Sequence, residues 1–250
     1  MCTLSYLSDP QGLTLFFNRD ERHTRAKETA PRLWESGNYN FLAPEDPDSG
    51  GTWLGVNAAG LVVCILNQYP VIDSGVEISP NLPGSPSRGV LVRETLGNCG
   101  NLEAAESFIL SLAQTYPPFS CLVLQIGAPG RLIVRQVRRP AFSEEFAGLP
   151  PITTSSFSPE VVREHRLRTF RKMVDPEQPD ESDLFAFHAS HDLENGAASV
   201  MMRRSDAETR SIIRLRVTRT TAVMRHHRKI RGTFELEAPT ESILPLLHQS

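Results

Sequence analysis

The chain has 250 residues, 40% of them hydrophobic and 22% charged, enough to bury a sizeable core in one large domain or two small ones. A net charge of −3 and a calculated pI near 6.2 give no global attraction to nucleic acid or to anionic lipid. The four cysteines, Cys2, Cys64, Cys99 and Cys121, lack CxxC or Cys-His spacing, which argues against a metal site or a disulfide framework, and no cofactor is predicted.

A single domain over residues 1–250 is expected. The opening MCTLSYLSDP has neither the basic n-region nor the long apolar core of a signal peptide. No run approaches the roughly 18 apolar residues of a membrane span. A cytoplasmic location without membrane insertion is therefore predicted.

Residues 3–7 and 13–17 are short segments rich in β-branched, aromatic and leucine side chains, separated by SDPQG, and they read as a hairpin with a five-residue connection. The second strand returns antiparallel, so its polar end, Asn18-Arg19-Asp20-Glu21, is expected beside Cys2. A thiol is a weak nucleophile until a base takes its proton or its pKa falls. If Met1 is removed, Cys2 carries its own α-amino group, whose ordinary pKa of about 7.7–8.0 suits a general base at neutral pH. A small buried cysteine at a strand start beside a polar turn fits the same residues.

MCT at the start, FFNRDER after the hairpin and GGTWLGVNAAGL at 50–61 resemble the NRDE family, which includes the transport-and-Golgi-organisation 2-like proteins. That family is similar in turn to N-terminal-nucleophile hydrolases of the choloylglycine hydrolase and penicillin V acylase type. The resemblance implies an α+β fold, a four-layer αββα sandwich of antiparallel sheets. It also implies hydrolysis of a non-peptide C–N bond in a small acylated substrate, with Cys2 as nucleophile and Arg19 and Asp20 polarising and orienting. Where the acylases carry Arg-x-x-Asp, arginine and aspartate are adjacent here. Neighbours on a strand point to opposite faces, so both reach Cys2 only if the strand is ending. Eukaryotic relatives are linked with haem and lipid handling, so the resemblance also accommodates a non-catalytic carrier of a hydrophobic ligand.

Further along, 22–37 is charged, contains Pro31 and reads as a connection; 38–51 is a polar loop ending in Gly50-Gly51. Residues 52–57 and 61–67 form a second hairpin about 58–60, and the near-continuous apolarity of 61–66 predicts a strand covered on both faces. By the resemblance, Asn67 at that strand's end stands at the oxyanion hole; a turn-capping Asn is the alternative. Four prolines in 70–86 predict a mobile surface loop over the pocket. Residues 91–96 and 102–116 show helical spacing, the second with Asn101 as N-cap. Strands are expected at 121–126 and 132–137, with 140–151 as a link.

A short strand at 152–157 carries Ser155 where the choloylglycine hydrolases have the asparagine completing the oxyanion hole. Residues 159–173 form a basic amphipathic helix with Ser158 as N-cap, Val161, Val162, Leu167, Phe170 and Met173 buried, and its arginines in solvent. A loop covers 175–183. His188 and His191 in 185–191 lack metal-ligand partners at the right spacing. A last hairpin is expected from 199–204 and 212–217, with its arginines on an outer strand. By analogy with the acylases one arginine of this region, Arg204, stands near the nucleophile. The basic stretches 163–172 and 203–231 leave room for a local anion-binding face. His226 to Lys229 read as a basic cluster beyond the core, and the tail from 233 packs on its own domain or on a second subunit as a homodimer contact.

Overall fold

The computed structural model describes residues 2–69, 84–127, 131–138, 142–145 and 151–247. In chain order the strands are β1 (Cys2–Asp9), β2 (Gly12–Arg22), β3 (Arg32–Trp34), β4 (Phe41–Ala43), β5 (Leu54–Asn57) and β6 (Val62–Asn67). Helices α1 (Arg88–Asn98) and α2 (Leu102–Leu112) follow, then β7 (Phe119–Ile126), β8 (Leu132–Arg138), β9 (Phe142–Glu145) and β10 (Ile152–Thr154). Helices α3 (Pro159–Met173) and α4 (Glu181–Ala189) precede β11 (Ala207–Val217), β12 (Thr221–Arg228) and β13 (Thr240–Pro245). One sheet runs β10-β1-β2-β11-β12-β13 and the other β3-β4-β5-β6-β7-β8-β9, antiparallel at each pairing.

Side-chain alternation explains the layers. Along β6, Val62, Cys64 and Leu66 meet Leu4, Leu15, Phe17 and Ile213 of the other sheet, while Val63 and Ile65 meet Leu91, Leu96 and Ile109 of α1 and α2. In the first sheet Leu13, Leu15 and Phe17 face the other sheet, and Phe16 faces Leu184 and Phe187 of α4. The order is therefore helices, sheet, sheet, helices, the αββα sandwich expected. Strands covered on both faces need apolar side chains at consecutive positions, which accounts for the runs VVCIL and LTLFF.

Gly55 illustrates how tightly the layers fit: a Cβ there would lie 2.4 Å from Leu96 Cδ1 of α1. Asn57 closes the second hairpin by donating to the carbonyls of Leu96 and Cys99, at 3.0 and 2.7 Å, while its own carbonyl accepts from the backbone of Ala59 and Leu61.

Several expectations need correction. The first turn is tighter, with Asp9 accepting from Gln11 and Gly12, so both strands are longer than their apolar cores. The links 22–37 and 140–151 contain β3 and β9, three- and four-residue strands too short for periodicity to reveal. Residues 199–204 are not a strand; the hairpin is β11–β12, and β11 sits between β2 and β12 rather than on the outside. His226 and Lys229 are buried, and the tail supplies β13, which pairs with β12 of its own chain.

The strand at 152–157 ends at Thr154, and α4 begins inside the predicted loop with Asp180 as N-cap. Ser158 precedes α3 in a left-handed conformation (φ 37°) and its side chain makes no cap hydrogen bond. In α3, Val161 is exposed and Arg166 is fully buried, because the stripe facing the sheet is Val162, Arg166, Phe170 and Met173. The proline loop expected at 70–86 lies, over 70–83, outside the described residues. No described helix is long and apolar enough to cross a membrane.

Candidate active site

The site forms where the NRDE end of β2 meets the start of β1. Cys2 is paired in register with Arg19 on one side and Thr154 on the other. Alternation then sends Arg19 between the sheets, while Asn18 and Asp20 go to the helix side.

On the inter-sheet side the Arg19 guanidinium lies 4.5 Å from the centre of the Trp53 ring. It reaches Glu28 at 3.2 Å, Glu21 at 3.4 Å and Asp46 at 3.5 Å. Its charge is thus matched by carboxylates of its own surroundings. Glu28 is buried within 3.6 Å of His226 Nε2. Burial alone would raise its pKa, but His226 and the Arg19 charge outweigh that and hold it at about 2.

On the helix side Asp20 Oδ2 accepts from Arg166 Nη2 at 3.3 Å, and Asp20 Oδ1 accepts from the Thr209 hydroxyl at 2.6 Å. Thr209 Oγ1 itself accepts from the Met202 N–H at 2.8 Å, which leaves its proton for the aspartate. Both side chains of the Asp20–Arg166 pair are fully buried. Arg166 also donates to Thr3 Oγ1 at 2.5 Å, Thr153 Oγ1 at 3.0 Å and Ala198 O at 3.3 Å. Thr153 in turn donates to the carbonyl of Cys2 at 3.2 Å.

Deeper on the same side, Asn18 donates to the carbonyls of His188 and Val200, so its own carbonyl oxygen accepts from His188 Nδ1 at 2.6 Å. Nε2 is left to accept from the Ser5 hydroxyl at 2.7 Å. Burial, with the Arg166 charge behind it, pushes the His188 pKa down to about 3, so the ring is neutral. His188 is a closed core group rather than a metal ligand.

Cys2 is half-buried. Burial raises its pKa to about 11, with the Asp20 carboxylate adding to the rise and the Asp20 N–H opposing it. With Met1 attached the sulfur is a neutral thiol. It opens onto a cavity of about 460 Å³ walled by Arg19, Asp20, Trp53, Asn67, Arg88 and Arg204, among others. The Trp53 indole N–H is buried with no partner among the described residues.

Of the six predicted site residues, five line this cavity: Cys2, Arg19, Asp20, Asn67 and Arg204. Asn67 Nδ2 donates to Tyr69 Oη at 3.3 Å, leaving a second amide proton. Arg204 is held bidentately by Asp206 at 3.0 and 2.8 Å, 5.7 Å from the Phe157 ring. Ser155 is different. Its hydroxyl proton goes to Phe157 O at 2.5 Å, and Ser156 stands at the lining instead. Sequence reading missed Arg166, Thr209, Glu28 and Trp53. The signal for Arg166 was its spacing of four from both Val162 and Phe170, which sets a cation in an apolar stripe.

The fold is shared with solved structures. A mutant of conjugated bile acid hydrolase from Clostridium perfringens, with alanine in place of its cysteine 2, is 12% identical with a TM-score of 0.51, covering 100% of this chain and 97% of that one. An arginine-to-leucine variant of the same hydrolase is 13% identical with a TM-score of 0.54, covering 99% and 97%. The Caenorhabditis elegans ortholog of N-acylethanolamine-hydrolyzing acid amidase is 10% identical with a TM-score of 0.52, covering 86% and 92%. These likenesses establish that the αββα fold is shared with those proteins. No curated protein matches at the sequence level. The family model of Transport and Golgi organisation 2 matches residues 1–228, and the chain belongs to the TANGO2 family.

Proposed function

We propose that this protein, once Met1 is removed, is a cysteine N-terminal-nucleophile hydrolase cleaving the amide bond of a small acylated substrate. The observation that carries the reading is the placement of Cys2 at a strand tip, in register with the NRDE segment and opening onto a cavity that Asn67 also lines. The Cys2 sulfur attacks the carbonyl carbon and its proton passes to the freed α-amino group. The carbonyl oxygen takes up the charge and accepts from Asn67, a contact worth typically about 2.7–4 kcal/mol in a transition state. The C–N bond breaks and the α-ammonium protonates the leaving amine. Water, giving a proton to the α-amino group, then attacks the thioester, the C–S bond breaks to release the acid, and the α-ammonium returns that proton to the Cys2 sulfur.

Asp20 orients the α-amino group in this scheme, and Arg19 and Arg204 polarise the cavity that both line. Ser155 is left out of the oxyanion hole because its proton is already donated. The whole chain acts as one domain, since both sheets contribute to the cavity, and it works in the cytoplasm without a cofactor. The reading of a carrier for haem or lipid has less support, because most of the described lining residues are charged or polar.

The test has two parts. Intact-mass measurement is expected to find Met1 absent; its retention would remove the base and end the reading. A panel of acylated amino acids and lactams is expected to yield at least one substrate that the protein hydrolyses and its Cys2→Ala variant does not.

A further inference from the structure

We infer that Arg166, reaching the site from helix α3, is the positioning residue that sets the proton affinity of the amine and thiol of Cys2 by balancing the charge of Asp20. The inference rests on the hydrolase reading above.

Arg166 has no exposed surface and touches the site twice. Nη2 holds Asp20 directly at 3.3 Å, and Nη1 holds Thr153, whose hydroxyl proton is donated to the Cys2 carbonyl. The same Nη1 bonds Thr3, the residue after Cys2, at 2.5 Å. One guanidinium therefore pins β1, which carries the amine, its neighbour β10, and the carboxylate that would orient the amine.

Two other cations near Cys2 already have carboxylate partners. Arg19 on β2 is paired with Glu21, Glu28 and Asp46, and Arg204, from the segment before β11, with Asp206. On α1, Arg88 donates to Pro118 O at 2.9 Å, and on β6 Cys64 is a buried thiol pushed well above its ordinary value by burial first. Asp20 faces α3 and β11, where Arg166 and the neutral Thr209 hydroxyl meet it. An amine beside a bare buried carboxylate would hold its proton too firmly to serve as a base. Beside a carboxylate already neutralised by Arg166 it releases that proton near neutral pH.

The experiment uses the full chain and measures the pH dependence of Cys2 modification by iodoacetamide, read by peptide mass spectrometry, with circular dichroism as the folding control. Amine and thiol titrate as a coupled pair, so the profile of the pair is compared between variants. Arg166→Met is expected to move the profile up by about one pH unit, hence about tenfold slower labelling at pH 7. Asp20→Asn, which leaves Arg166 unbalanced, moves it down, and the double variant returns it close to the wild type.

If Arg166→Met fails to fold, Asp20→Asn and the double variant differ only at residue 166 and read the same charge without an unpaired buried carboxylate. A purely structural Arg166 gives folded variants with superimposable profiles, and that result overturns the inference alone. A wild-type Cys2 that labels no faster than Cys64 or Cys121 overturns the hydrolase reading, and this inference with it.

Discussion

Arg19 and Asp20 are covalent neighbours that ended up in different environments. Arg19 lies in a network open to the cavity, where three carboxylates and an indole share one cation. Asp20 lies in a closed network against α3, where one guanidinium and one hydroxyl are its partners. The open side has redundancy and access to solvent; the closed side has neither. A single deletion on the closed side should therefore cost more, and it should be felt as geometry at Cys2.

The largest effect is expected from Arg166→Met. It leaves the Asp20 carboxylate buried without its cation, which typically costs about 3–5 kcal/mol. Adding Asp20→Asn should recover most of the loss in a denaturant titration. A double variant as unstable as the single one would mean that the packing of Arg166, and not its charge, matters.

Next comes acid. His188 binds a proton near 6.5 when unfolded but only at about 3 when folded. Its folded pKa is depressed, so stability is full above 6.5 and falls as pH drops toward 3, by about 3 kcal/mol between pH 6.5 and 4. His188→Gln should flatten that slope. An unchanged slope would place the acid sensitivity elsewhere.

Smaller still is Glu28→Gln, on the open side, where Arg19 keeps Glu21 and Asp46. A loss of about 1–2 kcal/mol is expected at pH 7. Because the Glu28 pKa is depressed from 4.5 to about 2, its contribution is present above 4.5 and fades as pH falls toward 2. The gap between wild type and variant should close over that interval. A cost equal to that of Arg166→Met would erase the contrast between the two networks.

Much of this arrangement was legible in the sequence. Strand alternation alone separates Arg19 from Asp20, the hairpin returns residues 18–21 to Cys2, and the unbroken apolar run before Asn67 announces a strand covered on both faces. What stayed hidden depended on partners far away in the chain. Arg166 looked like one more solvated arginine of a basic helix, because its acceptors Asp20, Thr3 and Thr153 lie on strands of the first sheet. Glu28 sat in a stretch read as a solvated connection, and only the return of β12 brings His226 to it.

The last hairpin was misplaced because SVMMRR has the apolar content of a strand. Its residues instead lay Val200 and Met201 over Phe16 and Ile212, as cover on the helix side. The register shift between Thr209 and Ser211 also had no sequence signature.

Trapping the covalent intermediate tests the central claim most directly. The protein is mixed with an activated acyl compound such as an acyl nitroanilide, quenched in acid within milliseconds to seconds, and its mass and N-terminal peptide are read. The account predicts a chain beginning at Cys2 that carries one acyl group on that residue, and none in Cys2→Ala. A chain that retains Met1, or acylation confined to other residues, would contradict it.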